Sequence, residues 1–207
     1  MAQARPYRGV EAPERLAQRR RRFLEAGLDL LGNAEHDVGD LTVRAICRQA
    51  GVAVRYFYEA FTDKDDFVAA VFDWVIGDIA ATAQAAAAAA PPRRQNRAVM
   101  TDIVGTIAGD PRVGRLLFSS QLSNAVVVRK RAESGALFAL LSGRHASTAL
   151  RQTQNDRITA AAHFVVGGVG QTISAWLSGD ITLSRSELVD QLTALVDQLA
   201  DPRLFRE

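Results

Sequence analysis

One cysteine, two lysines and six prolines are spread over 207 residues, and no apolar run reaches the roughly 18 residues needed to span a bilayer. The single Cys47 excludes an internal disulfide and fits a reducing compartment, so a cytoplasmic protein is expected. The arginine-rich N-terminus is followed by no apolar core, so no secretory signal is expected either. His36, His145 and His163 stand far apart, and with one cysteine they make no metal-ligand spacing. Ser119-Ser120 has no evident base partner. Gly167, Gly168 and Gly170 follow no strand and so make no dinucleotide-binding loop. No enzyme and no cofactor are expected. Alternation of polar and apolar residues is also missing, which leaves an all-α protein as the reading.

What is present is ordinary in bulk and uneven in distribution. Hydrophobic residues make up 48% and charged residues 23%, as in a globular protein with a real core and one or two small domains. Net charge is only +2. Seven arginines (Arg5, Arg8, Arg15, Arg19, Arg20, Arg21 and Arg22) nevertheless stand in the first 22 residues against Glu11 and Glu14. Such a concentration suits attraction to phosphate. The preference for Arg over Lys, with Lys64 and Lys130 alone, suggests a GC-rich genome more than a mechanism.

Residues 1–13, with Pro6, Gly9 and Pro13, read as a flexible arm. Leu16, Phe23, Leu24, Leu28 and Leu31 recur at helical spacing over 14–31, and 32–40 reads as a loop. Thr42 is placed to cap a second helix whose inner face holds Ile46 and Ala50, and Gly51 supplies the turn after it. Asp63 precedes a helix from 64 towards 90, with Asp65 and Asp66 in its first turn and Pro91-Pro92 as its stop. Further helices are expected at 96–108, from Asp110-Pro111 onward, at 119–141 and at 156–177. The 156–177 segment is apolar nearly all round and should be buried on several sides. Ser184-Arg185-Ser186-Glu187 is a capping box opening a last helix with Leu188, Leu192, Leu195, Val196 and Leu199 on one face.

The most specific stretch is Leu41–Phe61, LTVRAICRQAGVAVRYFYEAF. Two short helical patterns meeting at Gly51-Val52 have the plan of a helix-turn-helix, whose second helix enters the DNA major groove. Val52, Phe57 and Phe61 are spaced to pack inward against Ile46 and the first helix. Val54, Arg55, Tyr56 and Glu59 are left on the outer side. Arg55 can reach guanine or phosphate, and Arg44 a base edge or the backbone.

In order and spacing, Arg22–Leu31, Leu41–Ile46, Ala50-Gly51-Val52, Phe57-Tyr58, Phe61 and Lys64 resemble the N-terminal domain of the tetracycline-repressor (TetR) family of transcription regulators. The resemblance covers about 50 residues. It implies DNA contacts by Thr42, Arg44, Val54, Arg55, Tyr56, Tyr58 and Lys64, with Tyr58 and Lys64 on phosphates. Arg5 and Arg8 of the arm are placed to enter the adjacent minor groove. The sequence departs from the family pattern at Ala53, where Ser or Thr usually caps the third helix. Tyr56 stands where a small hydroxyl residue is common, and Ala60 where His is frequent. These departures bear on the operator sequence.

The resemblance further implies two domains, 1–62 for DNA and 63–207 for ligand binding and dimerisation. The last two helices of each chain would form a four-helix bundle in a homodimer, and Gly167, Gly168 and Gly170 would permit close approach there. A pocket among the middle helices is implied, with Trp74, Phe118, Gln121, Asn124, Phe138, His163 and Trp176 as candidate lining. The apolar balance favours a hydrophobic or aromatic effector. The expectation is a DNA-binding transcription regulator, a repressor released from a double-stranded operator by a small molecule. Two rivals stand against it: a helical ligand-binding or protein-interaction module that no longer reads DNA specifically, and a small helical enzyme.

Overall fold

The computed structural model describes residues 12–33, 41–199 and Leu204, and among them every regular element is helical. The arm with Arg5 and Arg8, His36 and most of the expected 32–40 loop lie outside the described residues. The helices are α1 Ala12–Gly32, α2 Val43–Ala50, α3 Arg55–Ala60, α4 Lys64–Ala89, α5 Gln95–Gly109, α6 Pro111–Phe118, α7 Ala125–Leu150, α8 Asp156–Leu177 and α9 Arg185–Gln198. A 3₁₀ turn, Pro92–Arg94, separates α4 from α5.

Capping chemistry sets most of the helix starts. Thr42 accepts from the Ala45 amide, and Asp63 from Asp66. Asp110 accepts from Arg112 ahead of Pro111, and Asn155 from Ile158. Ser184 and Glu187 close both halves of the capping box. Each satisfies an amide that a helix start otherwise leaves unpaired. Gly51 ends α2 at φ 63°, a left-handed conformation with no steric cost for glycine.

The first three helices close around phenylalanines. Phe23, Phe57, Phe61 and Phe67, from α1, α3, the residue after α3 and α4, pack with ring centroids 5.1–5.9 Å apart. All four are essentially inaccessible to solvent. Gly27 lets α1 and α4 meet here, because a Cβ at that position would lie 2.4 Å from Val71 Cγ2. The apolar core continues without a break from Phe23 through Val71, Val104 and Leu116 to Leu192.

Three expectations about local structure are corrected. Leu16 is exposed, because α1 projects beyond α2 and α3 at its N-terminal end. α7 starts at Ala125, not 119, and runs on past the expected end at 141 to Leu150, where Arg151 at φ 53° ends it. The 119–124 segment is held out of the helix by Arg131, whose guanidinium donates to the Leu116, Ser119 and Leu122 carbonyls. Asn124 then caps α7 by accepting from Val127. On α9 the buried residues are Leu188, Val189, Leu192 and Thr193, and Leu195 points outward.

α3 begins without a side-chain cap. Val54 already has helical dihedrals and the Ala53 carbonyl accepts from Tyr56, so Ala53 occupies the capping position. Ala53→Ser should therefore stabilise the fold by about 0.5–2 kcal/mol in urea unfolding. An unchanged midpoint would show that the start of α3 is set otherwise.

Candidate nucleic-acid interface and interior cavity

Burial of Phe57 and Phe61 fixes which side of the six-residue α3 faces outward. Thr42, Arg44, Val54, Arg55 and Tyr58 are exposed, and Tyr58 has 60% of its surface accessible while its ring edge packs on Phe57. Lys64 is half-buried at the first position of α4. There the helix dipole opposes a cation, so its charge adds nothing to helix stability and is better matched by an anion. Asp66 reaches back to the Thr62 amide, 2.9 Å away, and Asp63 receives the Asp66 amide. These bonds pin the α3–α4 junction beside Tyr58 and Lys64.

Tyr56 is not on the open surface. It is half-buried against the core, with the Arg19 guanidinium 4.0 Å above its ring and Arg55 4.5 Å from the centroid. Arg55 also donates to the Tyr56 hydroxyl at 2.6 Å. Tyr56 thus serves as a platform that orients Arg55. Glu59 is engaged as well, by Arg19 at 3.1 Å. Arg20 donates to the Ala60 carbonyl and lies over the Phe61 ring. Part of the positive charge near the N-terminus therefore ties α1 to α3. Sequence reasoning did not single out Arg48, an exposed cation near the end of α2.

The head is joined to the body through α6. Arg112 bonds Asp110, the cap of its own helix, and Asp29 on α1, and Asp29 also accepts from Gln49 of α2. Gly32 of α1 sits so close that a Cβ there would lie 2.3 Å from Arg112 Cβ. The Arg112 bond holds the Asp110 carboxyl below its ordinary value of 3.8 and the pairing raises the guanidinium in turn.

A cavity of about 920 Å³ lies among α4, α5, α7 and α8, with the end of α6 and parts of α9 at its edge. Phe72, Ile76, Met100, Ile103 and Val166 give it an apolar wall, and Arg131, Ser142 and His145 are among its few polar groups. Phe118, Phe138 and His163 line it; Trp74, Gln121, Asn124 and Trp176 do not. Trp74 packs half-buried against the core, and Gln121 accepts from Arg115. Asn124 caps α7, and the Trp176 indole donates to the Leu183 carbonyl at 2.7 Å. The aliphatic lining carries no sequence signal that separates it from ordinary core.

Comparison with known proteins agrees with this architecture. Residues 23–71 match the model of the bacterial regulatory proteins of the tetR family. No curated protein matches the chain. Among solved structures, the fatty acid degradation regulator FadR of Bacillus halodurans is similar at 17% identity and a TM-score of 0.71, over 90% of this chain and 96% of that one. FadR of Bacillus subtilis in complex with stearoyl-CoA is similar at 18% identity and 0.69, over 88% and 98%. A tetR-family transcriptional regulator from Streptomyces coelicolor is similar at 16% and 0.64, over 89% and 78%.

The depressed Asp110 carboxyl has a consequence for acid stability. Its stabilising contribution is present above the unfolded value near 3.8 and is lost as pH falls through the lower folded value. Asp110→Asn should lower stability at neutral pH and flatten its acid dependence below that point, measured by urea unfolding across pH. An unaltered acid limb would remove this link from the fold's stability.

Proposed function

This chain belongs to the tetR family of bacterial regulatory proteins through its residues 23–71, and from that premise we propose that it is a ligand-released transcriptional repressor. One observation carries the DNA-reading part: a helix-turn-helix built on a closed aromatic cluster that leaves Thr42, Arg44, Val54, Arg55 and Tyr58 outward beside Lys64. In this reading, Arg44 and Arg55 contact base edges, with Arg55 aligned by Tyr56. Thr42, Tyr58 and Lys64 hold phosphates, and Val54 makes an apolar groove contact. The protein works in the cytoplasm; among the described residues no helix is long and apolar enough to cross a membrane. We divide its work between a DNA-reading unit, 1–62, and a ligand-binding and dimerising unit, 63–207.

A single short recognition helix reads few base pairs, so a two-fold dimer is the expected working form. The outer side of α8 supports α8 and α9 as the joining faces. Phe164 is 69% exposed there, next to Gly167 and Gly168, and Leu195 on α9 is 51% exposed. The effector is a long, apolar small molecule, because the cavity wall is aliphatic and aromatic. It acts only by favouring one spacing of the two heads over the other.

Fragments of genomic DNA selected by the full chain should share one motif, and binding to it should fall steeply with salt. Tyr58→Phe and Lys64→Ala should weaken all duplexes alike, with Lys64→Ala lowering the salt slope by about 1. Arg44→Ala and Arg55→Ala should cost about 1–3 kcal/mol on the motif and relax its base preference. Absence of any preferred duplex, or mutants that bind like wild type, would overturn the assignment.

Phe164→Asp together with Leu195→Asp should convert the dimer to monomer in sedimentation while leaving the helical circular-dichroism signal intact. A wild-type chain that is monomeric at micromolar concentration would refute the joining faces.

A further inference from the structure

The cavity contains a cation with no counter-charge. Arg131 lines it from α7, and among the described residues the guanidinium forms no ion pair. Asp73 and Glu133 pair with the adjacent residue Lys130, at 2.8 and 2.9 Å. Its partners are carbonyl oxygens: Leu116 from Nε and Nη2, Ser119 from Nη2 and Leu122 from Nη1, at 2.9–3.3 Å. A guanidinium has five N–H groups, so this set leaves one Nη1 hydrogen unassigned. Carbonyl dipoles offset only part of a full charge that is partly withdrawn from water. Burial pulls the guanidinium down from its ordinary value, and no neighbouring acid restores it.

The charge sits at one end of a long space. Arg131, Leu117, Phe118 and Gly170 stand together there, with Gly170 opposite the Phe118 ring. Along α4 the lining runs from Phe72 to Ala87, a span of roughly 22 Å at the helical rise. Toward the other end the wall is mainly small and apolar, with Ala83, Ala87, Ala146 and Ala149. The space is therefore amphipathic lengthwise: a fixed cation, then an apolar channel.

We propose that this cavity takes an elongated apolar acid, and that Arg131 is the specificity-determining residue that receives its carboxylate. The proposal rests on the reading of the cavity as the effector site. A carboxylate supplies the missing counter-charge and accepts the unassigned Nη1 hydrogen. A charge-assisted bond of this kind is stronger than a neutral one, and more so where water is excluded. The alkyl body then replaces water along the channel.

Competition of the full chain's binding to a fluorescent fatty-acid probe by myristate, methyl myristate and tetradecanol, each below its micellar concentration, tests this. Wild type should bind myristate at least about tenfold tighter than the ester or alcohol. The preference should vanish in Arg131→Gln and persist, reduced, in Arg131→Lys, with fold and dimer mass checked for each. Should Arg131→Gln fail to fold, the wild-type series and Arg131→Lys decide the matter. Equal wild-type affinity for all three molecules, or a preference retained in Arg131→Gln or absent from Arg131→Lys, overturns the role of Arg131 and leaves the effector site standing. Failure of all three to compete overturns the effector-site reading and the proposal together.

Discussion

The closure of four phenylalanines around one point is the constraint on which the rest depends. α3 has six residues and no side-chain cap, too little to be a stable helix by itself. Its orientation comes from Phe57, fully buried between Phe23, Phe61 and Phe67. With Phe57 inward, helical spacing leaves Arg55, Tyr58 and Glu59 no inward direction. Arg20, over Phe61 and bonded to the Ala60 carbonyl, closes the same cluster from α1. The outward direction of Arg55 is thus set by an apolar interaction among its neighbours.

The same cluster makes the head inseparable from the body. Phe67 belongs to α4, whose next turns supply Val71 and Phe72 to the central core and Ile76 to the cavity wall. α6 repeats the link from the other side. Its first turn is tied to Asp29 of α1 by Arg112, and its last carbonyls are tied to α7 by Arg131. At Gly27 the α1 backbone meets the Val71 and Phe67 side chains of α4, and at Gly32 it meets Arg112 of α6, with no room for a methyl group. Close-packed contacts of this kind transmit displacement between elements instead of absorbing it locally. A change of shape along the cavity therefore has two rigid routes to the first three helices.

Much of this was legible in the residues because it is local. Caps at Thr42, Asp63, Asp110 and Ser184 depend on side chains two to three positions from the amides they satisfy, and the sequence carries both partners. The inward set Ile46, Val52, Phe57 and Phe61 follows from periodicity. Long-range pairing is what sequence could not supply. Arg19 and Glu59, forty positions apart, meet at Tyr56 and turn it from a groove-facing residue into a support for Arg55. Arg131 holds the Ser119 and Leu122 carbonyls of a stretch that reads as helix, together with the Leu116 carbonyl in the last turn of α6, and α7 accordingly starts at Ala125. The family resemblance makes Trp74 and Trp176 candidate cavity lining. Their position on α4 and α8 directs them to the core and to the Leu183 carbonyl instead.

The glycines separate what one chain explains from what it does not. Gly27 and Gly32 each face a neighbouring side chain at 2.4 Å or less from where a Cβ would stand, and the fold of the single chain accounts for them. Gly167 and Gly168 face nothing within 4 Å. Each costs about 1 kcal/mol in a helix interior relative to alanine, with no contact in the chain to offset it. Beside them Phe164 lies in the open, on a helix apolar enough that burial on several sides is expected. Only Ile158, Ala162 and Ile173 of that helix are buried by the chain itself. Small residues and a large exposed ring on one face suit a second helix at close range. A second copy of the chain against α8, as proposed, would account for the surplus apolar surface and for Gly168, whereas Gly167 also lines the cavity.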